Sequence, residues 1–452
     1  MTKSKISLTS WGNYPASPAY LIRPERYQEL FPKADSLIAR GLGRSYGDAA
    51  LNADRTVLLM ERFNRFLSFD EKKGLLRAEA GVSLAEILEV FAPRGWFLPV
   101  TPGTKYVTLG GAFAADIHGK NHHVDGTFGQ HVHEIELILA NGTSKRCSPN
   151  ENANLFWASA GGMGLTGIIA EMTLQLIPIQ SAYIAVHQEA AKNLDHALAL
   201  LEDKGCDDKY SVAWIDCLAT GPEFGRSIVM NGHHASLEEL SNLKIKNPLQ
   251  MPSPKQHSIP CFVPSWILNP WSIQVFNSLY YKTQSHKKAS FITDCQSYFY
   301  PLDAIGNWNR LYGKRGFIQY QFVVPKRNSR EGLQKILHEL TQSRKASFLA
   351  VLKRFGPENQ GMLSFPREGF TLALDIPLGD PNLFDFLDRL DELVLKYEGR
   401  VYLAKDARLK PAAFRAMYPR YPQWQRIKSQ IDPQDRFSSD LSRRLQLGGN
   451  HD

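Results

Sequence analysis

Residues 99–123 read PVTPGTKYVTLGGAFAADIHGKNHH, with four glycines, one aspartate and three histidines among apolar residues. The stretch is too apolar to be a linker, and glycines let a backbone approach another group closely. Ionisable side chains stand beside those glycines. The combination predicts that the chain passes close to a bound cofactor here.

A second glycine-rich segment lies upstream, where RGLGRSYGD at residues 40–48 follows the apolar residues 37–39. Glycines with positive φ leave N–H groups exposed, so such a turn can form an anion-binding nest, and Arg40 and Arg44 add positive charge. A connecting turn is the alternative for one such loop taken alone. Two of them in one chain favour a cofactor with a diphosphate.

A third segment, GMGLTG at residues 162–167, satisfies the Gly-x-Gly-x-x-Gly pattern of Rossmann nucleotide-binding domains. That pattern has its meaning only between a strand and a following helix. Here residues 153–160 suit a short helix, and residues 171–176 alternate polar and apolar side chains as a strand does. The order is reversed, so we predict a nucleotide site of another kind.

The chain resembles the vanillyl-alcohol-oxidase-like flavoproteins, which carry an FAD domain of the p-cresol-methylhydroxylase (PCMH) type. Within that family it is most similar to members that oxidise a polyprenylphosphoryl ribose. The resemblance rests on ordered strings spread over most of the chain: 41–48, 102–104, 116–123, 165–169, 319–322, 364–366, 404–406 and 417–419.

The pattern of short apolar runs, together with this resemblance, predicts an α+β fold in two domains. Residues 1–181 are expected to form the PCMH-type FAD-binding domain, with a helix over 83–91. Residues 182–399 are expected to form a substrate-binding domain on an antiparallel sheet, and 400–452 to return to the FAD-binding domain. The predicted strands of the second domain are 210–215, 316–324, 347–353 and 369–376, with helices at 332–341 and 383–397.

Composition narrows the function classes. The 452 residues are 43% hydrophobic and 22% charged, as in a soluble globular protein of two domains. No run of about 18 apolar residues and no signal peptide is visible, so a cytoplasmic protein, peripherally associated with the inner membrane, is expected. Five widely spaced cysteines indicate reduced thiols. The net charge of +8 favours anionic partners, but no nucleic-acid module accompanies it.

The resemblance implies non-covalent FAD, held by residues of both glycine-rich segments and two later positions. The expected cofactor-binding residues are Arg40, Gly41, Leu42, Gly43, Arg44, Ser45, Tyr46, Gly47, Asp48, Gly103, Thr108, Leu109, Gly110, Gly111, Ala115, Asp116, Ile117, His118, Ile169 and Tyr402.

The resemblance also implies two catalytic residues, Lys405 and His118. Lys405 is expected to polarise the substrate hydroxyl or to stabilise charge on the reduced flavin, and His118 to position substrate beside the flavin. A structural role for His118, or metal binding with His122 or His123, is the alternative. Gly119 and Asn121 make a helix doubtful there and a third ligand is missing, so no metal site is predicted.

The expected substrate residues are Tyr46, Trp214, Gln319, Gln321, Lys353 and Lys405. The i, i+2 spacing of the two glutamines places both on one face of a strand, as a polar wall over a sugar requires. Two positions depart from the members it resembles most, which have a cysteine at Ala373 and an asparagine at Thr371. That cysteine is the site of covalent nitroaromatic inhibitors, so no such trapping is expected here.

The function expected from the resemblance is oxidation of the 2-hydroxyl of a polyprenylphosphoryl-β-D-ribose to a ketone, the first half of an epimerisation to an arabinose donor. An NAD(P)H-dependent reductase subunit and a quinone electron acceptor are the implied partners. The alternatives are an oxidase of a small sugar, alditol or aldonolactone, and a flavoprotein that binds a carrier without turnover. The proline-rich, aromatic segment 247–271 is predicted to be a lid or membrane contact, or else a loop packed on the core.

Overall fold

The computed structural model describes residues 5–203, 208–243, 245–252, 257–264, 267, 269–287, 289–345 and 349–448. Within these residues the chain forms 21 strands and 13 α-helices. The strands are β1 (Lys5–Thr9), β2 (Ala16–Ile22), β3 (Leu37–Arg40), β4 (Thr56–Leu59), β5 (Phe66–Asp70), β6 (Leu75–Glu79), β7 (Trp96–Phe97), β8 (Val132–Ile138), β9 (Ser144–Cys147), β10 (Ile168–Gln175), β11 (Ile177–Pro178), β12 (Tyr183–Ala191), β13 (Tyr210–Ile215), β14 (Ser227–His234), β15 (His257–Ser258), β16 (Ser290–Asp294), β17 (Ile305–Gly306), β18 (Phe317–Pro325), β19 (Ala350–Phe355), β20 (Gly369–Pro377) and β21 (Arg400–Val401). The helices are α1 (Leu84–Phe91), α2 (Leu109–Ala114), α3 (His122–Asp125), α4 (Ala153–Ser159), α5 (Leu194–Glu202), α6 (Leu237–Leu240), α7 (Pro270–Ser285), α8 (Cys295–Phe299), α9 (Ser329–Ser343), α10 (Leu383–Lys396), α11 (Pro411–Met417), α12 (Tyr421–Ile431) and α13 (Asp440–Leu445).

Two smaller sheets come from the first 175 residues. One is mixed, in the order β1-β2-β4-β3, and the other is antiparallel, in the order β5-β6-β10-β8-β9. The predicted helix over 83–91 is confirmed as α1, which Ser83 caps through a hydrogen bond from the Glu86 backbone N–H. The mixture of helix and sheet confirms the α+β class.

The Gly162–Gly167 segment lies between a helix and a strand, in that order. The helix is α4 and the strand is β10, in which buried Met172 and Leu174 alternate with partly exposed Glu171 and Thr173. Rejection of a Rossmann site is therefore confirmed, since no helix N-terminus follows the glycines.

The largest sheet has eight strands in the order β16-β12-β14-β13-β19-β20-β18-β21, and every pair is antiparallel. Helices α5, α9 and α10 pack against its central strands. The predicted elements of this region are confirmed, with bounds shifted by a few residues. The strand expected at 347–353 runs over Ala350–Phe355, and residues 346–348 are outside the described part.

The C-terminal residues contact both parts of the chain. β21 forms an edge strand of the eight-stranded sheet beside β18. Farther on, the indole N–H of Trp424 donates to the Ala158 carbonyl, and Phe437 forms a bridge with Leu37 of β3. Within the described residues, no helix combines the length and apolar character needed to cross a bilayer.

The proline-rich segment 247–271 is described in part. Residues 253–256, 265, 266 and 268 lie outside the described residues, as does Cys206. The rest contains β15 and the first turn of α7.

Candidate active site

A cavity of about 740 Å³ lies between loops of the two smaller sheets and strands of the eight-stranded sheet. All six predicted substrate residues line it: Tyr46, Trp214, Gln319, Gln321, Lys353 and Lys405. Most of the predicted cofactor residues line it too: Gly41, Leu42, Gly43, Arg44, Ser45, Tyr46, Gly103, Thr108, Gly110, Gly111, Ala115, Ile117, His118, Ile169 and Tyr402. The fold thus brings distant segments of the sequence to one cavity.

The loop after β3 presents unpaired backbone donors to this cavity. Within the described residues, the N–H groups from Leu42 to Ser45 donate to no backbone carbonyl oxygen. Gly43 has a φ of +64°, which a residue with a side chain rarely adopts. Arg40 supports the turn from behind, since its guanidinium donates to the carbonyls of Thr9 (2.7 Å) and Ala50 (3.1 Å). The four free N–H groups form a cradle for an anion.

In the opposite loop, residues 101–111, several backbone donors are already used. The N–H groups of Leu109 and Gly110 donate to the carbonyls of Val82 and Ala80, both at 2.8 Å. Thr108 caps α2 by accepting from the Gly111 N–H. At Gly103 an added Cβ would meet no protein atom within 4 Å. This wall therefore contributes open backbone surface at Gly103, and the consecutive unpaired N–H groups of residues 42–45 form the anion cradle on the other wall.

Five predicted cofactor residues lie behind the lining: Arg40, Gly47, Asp48, Leu109 and Asp116. Leu109 is fully buried in the core, and a Cβ on Gly47 would lie 1.6 Å from the Asp406 carbonyl oxygen. Asp116 accepts from the Gly129 N–H and the Asn359 amide, at 2.9 and 2.7 Å. These residues support the walls of the cavity through packing and hydrogen bonds, and the sequence pattern does not distinguish them from the residues that line it.

Asp48 belongs to a buried ion pair that fixes the loop carrying Lys405. Arg444 reaches both Asp48 (2.7 Å) and Asp406 (2.9 Å). Asp406 also accepts from the N–H groups of Arg408 and Leu409. The Tyr46 N–H donates to the Ala404 carbonyl at 3.0 Å. These contacts hold residues 402–406, which include Lys405, against the loop after β3.

Lys405 lies in the cavity with its ammonium 3.8 Å from the centre of the Tyr46 ring. Burial lowers its pKa to about 7, helped by the like charge of Lys353 and opposed by Asp375. A lysine with this pKa exchanges its proton near neutral pH. It can therefore act as a proton acceptor or as a cation at the same position.

Sequence reasoning missed Asp375, the carboxylate that faces this lysine. Asp375 is fully buried on β20 and accepts hydrogen bonds from Gln319 (2.6 Å) and Tyr312 (3.3 Å). Burial raises its pKa to about 7, while the Gln319 bond and the Lys405 charge act in the opposite direction. Asp375 follows Thr371 and Ala373 at intervals of two residues, so the three side chains lie on one face of the strand. A carboxylate at this place in an otherwise apolar strand was the signal in the sequence.

Further cations line the cavity. Lys353 has a pKa lowered to about 8 by burial. Lys120, which sequence reasoning passed over, has a pKa lowered to about 7 by burial and lies 4.0 Å from the Tyr298 ring centre. Within the described lining residues, Asp303 is the one carboxylate. The cavity therefore carries net positive charge and suits an anionic ligand.

His118 is held in its neutral form. Its Nε2 lies 3.0 Å from the Gln321 amide nitrogen, and its ring packs 4.7 Å from the Phe355 ring. Burial lowers its pKa well below the ordinary value, and the Lys353 charge adds to this. His122 accepts from the Gly356 N–H at 3.1 Å. Within the described residues, no group of three or more His, Cys, Asp or Glu side chains is placed to hold a metal ion.

Comparison with known proteins identifies the family. One family profile, the FAD binding domain, matches residues 32–148, and another, D-arabinono-1,4-lactone oxidase, matches residues 312–445. Decaprenylphosphoryl-beta-D-ribose oxidase of Mycolicibacterium smegmatis is 41% identical over 413 residues, which are 91% of this chain and 89% of that protein. The chain belongs to the decaprenylphosphoryl-beta-D-ribose oxidase family.

Other relatives agree with this placement. A Streptomyces coelicolor protein, described as an uncharacterized protein in the mprA 5' region, is 34% identical over 81% of this chain and all of its own length. A putative D-arabinono-1,4-lactone oxidase of Neurospora crassa is 28% identical over 37% of this chain and 31% of its own. The resemblance to vanillyl-alcohol-oxidase-like flavoproteins is confirmed, and the lactone oxidases are more distant members.

The described cavity fits the FAD of this oxidase family. Its profile match covers both glycine-rich segments. The unpaired N–H groups of residues 42–45, with Arg44 beside them, would hold the diphosphate. The open surface at Gly103 and the ring of Tyr402 lie on the same cavity. This member of the family is an FAD-dependent oxidoreductase acting on a CH–OH group.

Proposed function

We propose that the chain oxidises the 2-hydroxyl of a polyprenylphosphoryl-β-D-ribose to the 2-keto sugar. The observation that carries this is the continuity of one cavity, which joins the N–H cradle at residues 42–45 to a polar, cationic wall on the eight-stranded sheet. Such a wall suits a sugar with an anionic phosphodiester. The relative from M. smegmatis is named for decaprenylphosphoryl-ribose, which supports the same substrate class.

The chain's own residues hold the substrate and accept its proton. Bound FAD would supply the acceptor for the hydride that leaves the carbinol carbon. Lys405 Nζ, in its neutral form, accepts the proton of the reacting hydroxyl. Asp375 faces it and stabilises the resulting ammonium. Gln319, whose amide is fixed by Asp375, and Gln321 bind the ring hydroxyls, and Trp214 packs beside the sugar.

The phosphodiester is assigned to the remaining cations. Lys353 lies on β19 and Lys120 lies just before α3, and both line the described cavity. Two lysines near one phosphodiester neutralise its charge and leave Lys405 free for the proton. His118 Nε2 contacts the Gln321 amide and so positions this glutamine for binding the ring hydroxyls.

The experiment that tests this is anaerobic bleaching of the bound flavin. Polyprenylphosphoryl ribose should bleach the flavin, and polyprenyl phosphate without the sugar should not. Lys405→Met should bind the lipid-linked sugar but bleach about 10²- to 10⁴-fold more slowly, the contribution of a general base. No bleaching by the ribosyl lipid, at any pH and with FAD bound, contradicts the proposal.

A second candidate function is oxidation of a small aldonolactone, sugar or alditol. The match of residues 312–445 to the D-arabinono-1,4-lactone oxidase profile favours it. Bleaching by free aldonolactones at a higher kcat/KM than by the ribosyl lipid would establish this alternative.

We further propose that FAD is held without a covalent bond, as the resemblance to the family implies. Denatured protein should release yellow FAD into the supernatant. Flavin that stays with the precipitate contradicts this.

We also propose the domain bounds expected from the sequence. Residues 1–181 form the PCMH-type FAD-binding domain, and residues 182–399 form the substrate-binding domain. Residues 400–452 return to the first domain, and the contacts of Trp424 and Arg444 with it support this. The edge strand β21 belongs by its pairing to the large sheet, although it lies within the returning segment.

Two partners complete the proposed reaction. The ketone requires an NAD(P)H-dependent reductase to become the epimerised sugar. The reduced flavin requires an electron acceptor, for which we propose a quinone. A membrane surface would bring a lipid-linked substrate and a quinone together.

A further inference from the structure

Helix α7 exposes an apolar stripe on its outer face. Trp271, Val275 and Leu279 follow one another at intervals of four residues and are 74%, 41% and 61% exposed, and Phe276 beside them is 46% exposed. Residues at this spacing lie on one side of a helix. Four large apolar side chains in a row are unusual on a surface that faces only water.

The inner face of α7 is anchored to the protein. Ile273 is buried, and Asn277 is fully buried and donates to Asp216 at 2.8 Å. The helix packs against β12 and β14. Tyr280 lines the cavity and lies 4.7 Å from the Trp214 ring. The outer stripe is therefore held in a fixed orientation by a firmly packed inner face.

The segment that contains α7 has a distinct charge pattern. Residues 240–293 include no aspartate or glutamate, although the chain has 45 of them in 452 residues. The same segment has six lysines, at positions 244, 246, 255, 282, 287 and 288. Lys282 and Lys287, at the C-terminal end of α7, are exposed. This segment thus contributes apolar and basic side chains but no carboxylates, a combination complementary to anionic phospholipid.

The stripe also adjoins the cavity. β15 of the same segment pairs with β17, and Ser258, Ile305 and Gly306 of these two strands line the cavity. Ile305 is 39% exposed, as is Ile267 just before α7. Phe276 of the stripe stacks on Tyr280 of the cavity lining, with their ring centres 6.0 Å apart, so the stripe and the cavity are neighbours.

We propose that α7 docks on the surface of an anionic phospholipid bilayer. Trp271, Val275, Phe276 and Leu279 enter the boundary between headgroups and acyl chains, and Lys282 and Lys287 contact lipid phosphates. The cavity then faces the bilayer, so that a lipid-linked sugar enters it without its chain crossing water. That last consequence rests on the proposed function, while the docking itself does not.

The test is sedimentation of the FAD-loaded enzyme with lipid vesicles. One set contains phosphatidylcholine alone, and the other contains phosphatidylcholine and phosphatidylglycerol at about three to one. Wild type should bind the anionic vesicles, with binding that weakens as salt increases. Trp271→Ser with Leu279→Ser should reduce the partition coefficient about tenfold or more, since interfacial binding scales with buried apolar area. Lys282→Gln and Lys287→Gln should each reduce it about fivefold on the anionic vesicles only.

Matched controls use exposed residues elsewhere. Val124→Ser removes an apolar side chain that is also 61% exposed, and Lys335→Gln removes an exposed charge on α9. Both should bind as wild type does. Circular dichroism and FAD content should stay unchanged in all variants.

Three results would overturn the docking proposal. The first is equal binding of wild type and α7 variants, and the second is equal binding to the two kinds of vesicle. The third is a wild type that elutes from gel filtration as a larger species than the α7 variants, which would make the stripe an interface between copies. Bleaching by the ribosyl lipid in detergent separates the two proposals. If bleaching occurs without vesicle binding, only the docking is wrong, and if vesicle binding occurs without bleaching, only the proposed function is wrong.

Discussion

Replacing Asp375 by asparagine tests how the cavity controls the proton on Lys405. Asparagine keeps the shape of the side chain and can still accept the hydrogen bond from Gln319, which is 2.6 Å long in the wild type. The substitution therefore removes a charge while it preserves most of the packing. Its effect should appear in the ionisation of Lys405.

The direction follows from the groups around the lysine. Burial lowers the pKa of Lys405, Lys353 adds to that effect, and Asp375 opposes it, with a result of about 7. In Asp375→Asn no carboxylate opposes the lowering of the Lys405 pKa. Loss of an opposite charge at close range changes a pKa by about one to three units. Because Lys405 and Asp375 both titrate near 7, the apparent wild-type value belongs to the pair.

The assay is the pH dependence of kcat/KM for anaerobic flavin bleaching, which reports the free enzyme. If neutral Lys405 accepts the hydroxyl proton, kcat/KM rises with pH through the lysine pKa. In Asp375→Asn this rise should occur about one to three units lower, so the variant loses less activity than wild type in mild acid.

A control with another buried carboxylate separates charge from damage. Asp391 has a pKa that burial raises to about 7, and it accepts from Tyr320 at 2.9 Å, but it is not among the residues that line the cavity. Asp391→Asn removes a buried carboxylate outside the cavity and should not move the pH profile. A profile that stays in place in Asp375→Asn, or moves to higher pH, would refute the reasoning.

Three further predictions concern the walls of the cavity. Gly47→Ala should lower the free energy of unfolding by about 1–3 kcal/mol in urea titrations, because its Cβ would lie 1.6 Å from a backbone oxygen. Gly103→Ala is the control, because its Cβ would meet no atom within 4 Å, and it should be as stable as wild type. Equal stabilities of the two variants would contradict this prediction. Ala373 lines the cavity, so Ala373→Cys should form an adduct with covalent nitroaromatic inhibitors in intact-mass spectra, and an adduct on the wild type would contradict the prediction. Arg444→Met leaves two buried carboxylates without their cation and should cost about 3–5 kcal/mol at neutral pH. The Asp406 pKa is lowered in the folded wild type, so the stability it contributes is present above the ordinary pKa and is lost as pH falls; the gap to Arg444→Met should therefore narrow in acid, and a constant gap would refute this.

Local patterns in the sequence carried much of the fold. The reversed order of helix and strand around Gly162–Gly167 depends only on periodicity within about 25 residues, and the prediction drawn from it is confirmed. The loop after β3 was also visible, because its glycines permit positive φ and stand beside two arginines, a combination suited to binding an anion. Predicting that this loop contributes to the cofactor site required no knowledge of which strands pair.

The features of the site that could not be predicted from the sequence depend on strand register. Asp375 faces Lys405 because β20 pairs with β18 so that Asp375 lies opposite Gln319, 56 residues away. No local pattern fixes that register. The same limit hides the structural contacts of Asp48 and Asp116. Each lies within a glycine-rich motif, but its partner, Arg444 or Asn359, lies more than 200 residues farther along the chain.

Thr371, where the resemblance leads us to expect an asparagine in related sequences, shows how a side chain acts at a distance through such a register. Its hydroxyl donates to the Phe322 carbonyl at 2.8 Å, so its oxygen is left to accept from the Gln321 amide at 3.2 Å. The group of Gln321 that faces Thr371 must then be its NH₂, and the same NH₂ donates to His118 Nε2. Burial lowers the His118 pKa well below its ordinary value and so keeps the ring neutral, and this chain of hydrogen bonds places its proton on Nδ1. An asparagine at 371 could present either a donor or an acceptor to Gln321. The threonine removes that choice, and in this chain it sets the tautomer of a histidine in the cavity wall that it does not touch.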